Sequence, residues 1–231
     1  MSTKDLTPLE ARLGVKFINQ SLLEQALVHR SYLNENPGFS LDHNERLEFL
    51  GDAVIELIVT EYLYKNFSNP EGELTNWRAS LVNAKMLSEM ALTLNFNDYL
   101  YLSRGEAKEI NTKARQYILA NAFEAVVGAL YIDQGYEAAE SFIKRELLPR
   151  LPHILENQLY RDPKSRFQES AQEKVGITPN YRVLSEIGPD HAKTFTIGVF
   201  LGDELIASGQ GSSKQEGEEA AARAALSKNS W

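Results

Sequence analysis

Glu45, Glu48, Asp52 and Glu56 follow one another at intervals of three, four and four residues within the run N-E-R-L-E-F-L-G-D-A-V and its continuation. On an α-helix that spacing makes one stripe of neighbouring like charges, each adjacent pair opposing the helix by roughly 0.2–0.5 kcal/mol. No Lys or Arg lies on the stripe. Leu47, Leu50, Val54, Leu57 and Ile58 form an opposite, apolar stripe with the spacing of a core-facing helix, so packing holds the helix while its acids gather on the other side. Two readings stay open: a solvated acidic face, or a set of carboxylates converging on a cation.

A second run bears on that choice. From Tyr117 to Ile132 the sequence is Y-I-L-A-N-A-F-E-A-V-V-G-A-L-Y-I, apolar nearly all round except Asn121 and Glu124, which share a helix face at a spacing of three. The run is too short and too interrupted for a membrane span and predicts a buried core helix. A buried, unpaired carboxylate costs several kcal/mol or stays protonated, and the run holds no basic residue to pair with Glu124. Its compensator must come from another helix. A hard divalent ion shared with the first run would have the all-oxygen set Glu48, Asp52, Asn121 and Glu124, which suits magnesium, an ion that keeps waters and takes few carboxylates. A protonated or Arg-paired structural glutamate is the other reading.

The elements that must carry these residues form two blocks. Helical periodicity runs over 19–30, 44–66, 73–93, 115–134 and 136–148, punctuated at Asn36-Pro37-Gly38, at Asn69-Pro70-Glu71-Gly72 and in the polar stretch Gly105–Lys113. That predicts an all-α domain over 1–156. A smaller α+β module of order α-β-β-β-α is predicted over 161–231. Asp162 is its helix cap with Pro163 at the first position; strands follow at Tyr181–Glu186, Lys193–Leu201 and Glu204–Gly209, and Gly-Ser-Ser-Lys at 211–214 opens the last helix.

Composition narrows the class. The 231 residues have no cysteine, which excludes a disulfide framework, a thiolate metal site and a cysteine nucleophile. The N-terminus M-S-T-K-D-L-T-P lacks an apolar signal region, and with no membrane span the expected location is the cytoplasm. A net charge of −8 argues against a protein that coats phosphates generally, because such binders carry a basic surface. A protein whose acids gather around bound cations tolerates that charge, since the cations offset it.

The two acidic runs, together with A-L-V-H-R-S at Ala26–Ser31, E-G-E-L at Glu71–Leu74, W-R-A-S-L-V after it and D-Q-G closing at Gly135, resemble ribonuclease III, the bacterial endonuclease family specific for double-stranded RNA. The resemblance covers essentially the whole chain. It implies magnesium, with manganese as a substitute, held by Glu48, Asp52, Asn121 and Glu124, with Asp52 and Glu124 as the catalytic pair. It also implies further cleavage-valley acids at Glu45 and Glu71, and a symmetric homodimer whose two sites each cut one strand, leaving 5′-phosphate and 3′-hydroxyl ends, in the processing of ribosomal and messenger RNA. Asn121 stands where the family most often has Asp, and an amide oxygen brings one negative charge fewer to an ion. That departure is the one hint toward the alternative, a catalytically silent double-stranded-RNA-binding protein on the same fold.

The C-terminal module resembles the double-stranded RNA-binding domain, which grips A-form RNA by shape, through 2′-hydroxyls across minor grooves and phosphates between them. The resemblance puts minor-groove contacts at Gln168, Glu169 and His191 and a phosphate contact at Lys214. Gln215 and Gly217 depart from the family's second Lys and its Ala, and a glycine in the first helical turn costs up to about 1 kcal/mol relative to Ala. Of the remaining candidates, His29 reads as a structural histidine beside Arg30 and Ser31, and His43 and His153 lack a partner at metal spacing.

Overall fold

A computed structural model describes residues 4–189, 193–229 and 231. The chain divides into two compact units, the first ending at Tyr160 and the second running from Arg161 to Trp231. The first unit is helical: α1 (Thr7–Leu13), α2 (Gln20–Ala26), α3 (Arg30–Glu35), α4 (Glu45–Asn66), α5 (Glu71–Leu81), α6 (Ala84–Thr93), α7 (Arg104–Lys108), α8 (Lys113–Gln134), α9 (Tyr136–Glu146) and α10 (Leu151–Glu156). Its core is built on α8, which buries residues around its whole girth, among them Leu119, Ala122, Phe123, Val126, Val127 and Leu130.

Helices α4 and α8 approach until their backbones touch. A Cβ on Gly51 of α4 would lie 1.8 Å from the carbonyl oxygen of Glu124, and one on Gly128 of α8 would lie 2.2 Å from that of Leu47. Each glycine weakens an isolated helix by about 1 kcal/mol relative to Ala, yet no larger residue fits this crossing.

Side-chain caps interrupt the predicted helices. The run 19–30 is two helices, because the His29 ring accepts from Ser31 N and starts α3 afresh. The run 73–93 divides in the same way where Asn83 Oδ1 accepts from Met86 N at 3.0 Å. Leu57, expected on the core face of α4, is 57% exposed; Gly51, Ile55 and Val59 complete the buried face instead.

The second unit runs α11 (Pro163–Val175), β1 (Asn180–Ile187), β2 (Thr194–Leu201), β3 (Glu204–Gly211) and α12 (Lys214–Asn229), with the strands antiparallel in the order β1-β2-β3. Asp162 caps α11 by accepting from Ser165 N at 2.8 Å. Phe167, Val199, Ala221, Ala222 and Ala225 form its core.

Gly217 is a packing requirement here and not merely a weak spot in α12. It is buried, and a Cβ there would lie 2.5 Å from Ile197 Cγ1 on β2. Gly217→Ala therefore lowers stability by about 1–3 kcal/mol through overpacking, although helix propensity alone favours Ala. Urea unfolding of both forms checks the sign, and a stabilised variant would show that Ile197 yields without strain.

Candidate metal centre and nucleic-acid interface

The Gly51–Gly128 contact decides which acids meet. It lays the backbone of Glu124 against Gly51, next in sequence to Asp52, while Glu48 and Asn121 stand about one helical turn away on the same sides of α4 and α8. Glu124 is pushed up to about 8, first by burial and then by the charges of Asp52 and Glu48. No basic group is among the causes acting on it, so the compensating arginine left open by the sequence is not the answer. Glu48 is also raised, by burial and then by Glu45 and Asp52, against a hydrogen bond with the Asn121 side chain that lowers it. These four residues form one coupled set.

The ends of the acidic stripe behave differently from its middle. Glu45 pairs with Arg30 at 3.1 Å, with His43 Nδ1 at 3.8 Å, and Glu56 with Arg78 at 3.6 Å, all reaching in from outside α4. Glu48 and Asp52 face Glu124 instead. Among the described residues no three carboxylate or imidazole groups converge closely enough to hold an ion as they stand. Three carboxylates and an amide, two of the acids raised first by burial and then by neighbouring charge, fit a hard divalent cation.

Glu71 is not brought to this set in the chain. It accepts from Thr75 Oγ1 at 3.0 Å and lines a cleft of about 590 Å³ with Thr60, Tyr64, Phe67 and Arg78. Thr60 lies eight residues beyond Asp52 on α4, roughly 12 Å along the axis. His29 is engaged at the start of α3: its Nδ1 accepts from Ser31 N at 3.3 Å and sits 2.8 Å from Ser31 Oγ, and burial lowers its basicity.

In the second unit Gln168 and Glu169 are exposed on α11, with Glu169 ion-paired to Arg161. Lys214, the first residue of α12, is exposed with its ammonium 5.9 Å from the Phe195 ring. Gln168 and Gln215 line one polar cleft with Lys164 and Glu218, so the outer face of α11 and the start of α12 share a surface. Lys164, which the sequence reading did not single out, is held there by Glu218 at 2.5 Å. His191 lies outside the described residues.

Two buried polar residues also escaped the sequence reading. Asn44 donates from Nδ2 to the Ala26 carbonyl at 3.1 Å, and Arg115 spends its guanidinium on the Glu106 carbonyl and on Asn97 Oδ1 at 3.3 Å. A polar residue immediately before an amphipathic run was the available signal for Asn44, but it reads first as a helix cap, a role its side chain does not take.

Residues 19–151 match the family described as ribonuclease-III-like, and residues 163–229 match the double-stranded RNA binding motif. A relative called ribonuclease 3 from Carboxydothermus hydrogenoformans is 46% identical over 228 residues, 98% of this chain and 96% of the relative. Another of that name, from Bdellovibrio bacteriovorus, is 44% identical over 94% of this chain and 93% of its own length. Among solved structures, a nuclease domain of ribonuclease III from Campylobacter jejuni is similar at a TM-score of 0.56 and 36% identity, covering 64% of this chain and 99% of that one; it is described for flexibility in a region involved in dimer formation. No helix among the described residues is long and apolar enough to cross a membrane.

Proposed function

The chain belongs to the ribonuclease III family, and we infer that it is an endonuclease cutting double-stranded RNA by metal-assisted phosphodiester hydrolysis to 5′-phosphate and 3′-hydroxyl ends. The observation that carries the reading is the set Glu48, Asp52, Asn121 and Glu124, in which Glu124 and Glu48 are raised first by burial and then by neighbouring acids, with no basic group among the causes for either. Magnesium is the ion the donor set favours, with manganese as a substitute. When bound, such an ion supplies a water of lowered pKa and neutralises charge at the phosphate. Asp52 and Glu124 contribute charged oxygens from two helices locked by the glycine crossing. Asn121 orients Glu48.

Three exposed apolar residues on α4, Phe49, Leu57 and Tyr64, recur at intervals of eight and seven and so share one face. We assign that face to a second copy of the chain in a symmetric homodimer, which brings Glu71 into a valley with Glu45 by two-fold repetition. Gln168, Glu169, His191 and Lys214 give the duplex grip. The setting is the cytoplasm and the work is maturation of ribosomal and messenger RNA.

Long duplex RNA incubated with the protein and magnesium gives a ladder of short products, and none with a chelator. Binding without cleavage at any metal concentration would leave the silent RNA-binding protein as the better reading.

Asn121→Asp tests the one departure. The Asp form adds a charge at the ion and lowers the half-saturating magnesium concentration for cleavage, by about 1 kcal/mol or more in apparent affinity. It also exchanges the hydrogen-bonding amide beside Glu48 for another acid, so the metal-free protein melts lower. An unchanged or higher magnesium requirement, with the fold intact, removes position 121 from the ion.

A further inference from the structure

Residues 26–31, the A-L-V-H-R-S segment, form a crosspiece on which the entrance of the acidic centre hangs. The start of α4 is tied to it twice: Asn44 N donates to the Val28 carbonyl at 2.9 Å, and buried Asn44 donates from its side chain to the Ala26 carbonyl at 3.1 Å. The segment before α7 is tied to it three times, by Tyr101 N to the Leu27 carbonyl at 2.9 Å, His29 N to the Tyr101 carbonyl at 3.1 Å and Ser103 N to Ser31 Oγ at 3.1 Å. His29, capping α3, fixes the backbone one residue before Arg30. The Arg30 guanidinium, carried by this frame, stands 3.1 Å from Glu45, the first residue of α4.

We propose that Arg30 is a positioning residue for the cleavage reaction, acting through Glu45: it holds that carboxylate at the entrance of the acidic centre and offsets its charge against Glu48 and Asp52. The inference rests on the nuclease reading above. Energetics argue that the pair is not there to hold the fold. Its side chains are 64% and 44% exposed, and exposed ion pairs contribute about 0–1 kcal/mol. The stability of the corner comes from the buried Asn44 and the backbone bonds, which Arg30 does not make. Its guanidinium is thus free to serve the one acid of the stripe that lies nearest the two ties to α4.

A double-mutant cycle on the full-length protein tests this, with R30M, E45Q and the double variant assayed for kcat and KM on duplex RNA in magnesium. Duplex binding is measured separately in a chelator across a salt series. R30M is expected to lower kcat about tenfold, the order of coupling found for charged groups in contact, with melting temperature, duplex affinity and salt slope unchanged. The double variant is expected to be no slower than E45Q. R30K recovers part of the rate, since it restores the charge without the planar fork, and it serves as the test variant should R30M not fold. Additive losses in the cycle, or an E45Q variant as fast as the parent, overturn the proposal. So does weaker duplex binding by R30M with a salt slope flattened by about one, which would make Arg30 a phosphate contact. A parent protein that binds duplex but never cuts it sinks the nuclease reading instead, a result visible before any variant is made.

Discussion

Glu124→Gln abolishes cleavage, by on the order of 10³-fold at a metal concentration that saturates the parent, while duplex binding in a chelator is unchanged. One charged ligand at an effective dielectric near 20 is worth about 4 kcal/mol at contact, and each 1.4 kcal/mol is a factor of ten. The substitution does not disturb the resting fold, because Glu124 is pushed up to about 8 and is therefore largely uncharged at neutral pH, a form that Gln imitates in shape and charge. Near-parental activity in the Gln form, with magnesium still required, would take Glu124 out of the centre.

The same shift predicts a pH dependence with a definite sign. The folded state holds the Glu124 proton more tightly than the unfolded chain, in which a carboxylate titrates near its ordinary value of 4.5. This group's contribution to metal-free stability is complete below about 4.5 and is lost as pH rises toward about 8. A bound divalent ion needs the ionised form and displaces the proton, so apparent metal affinity climbs with pH up to about 8. Melting curves from pH 5.5 to 8 with and without magnesium, run on parent and Gln forms, check both slopes. A metal-induced gain that is flat with pH in the parent would show that ion and proton do not compete at Glu124.

How far the residues themselves disclosed this site varies with the physics involved. Glu48 and Asp52 were legible because a like-charge stripe opposing its own helix needs a reason, and Glu124 because an apolar run offers it no partner. Helix ends at His29 and Asn83 were not, since a capping side chain that interrupts an apolar period looks like a tolerated polar residue until its hydrogen bond is seen. Arg30 and Arg78 pair with the stripe from α3 and α5, so the absence of a basic residue on α4 says nothing about Glu45 or Glu56. Gly217 shows the converse error. Helix propensity marks it as a defect, and only the distance to Ile197 reveals that an alanine would not fit.

Gly51 and Gly128 went unread for the same reason, and Gly51→Ala is the second substitution expected to have a large effect. The added methyl would sit 1.8 Å from the Glu124 carbonyl oxygen, 2.6 Å from its carbon and 2.9 Å from Gly128 N, all backbone atoms that no rotamer change can move. The helices must part. Overpacking of this kind costs about 1–3 kcal/mol and occasionally more, against which Ala returns at most about 1 kcal/mol of helix propensity, so the net effect is a loss. Parting α4 from α8 also draws Asp52 away from Glu124, so the half-saturating magnesium concentration rises even at temperatures where the variant is fully folded. Gly72→Ala is the matched control: it lies in α5 with nothing within 4 Å of a Cβ, and it is expected to be neutral or slightly stabilising. Thermal unfolding and a magnesium titration of the cleavage rate on both variants separate the two cases. A Gly51→Ala protein with parental melting and parental magnesium dependence would mean that the helix crossing can widen freely, and that the acids are not positioned by it.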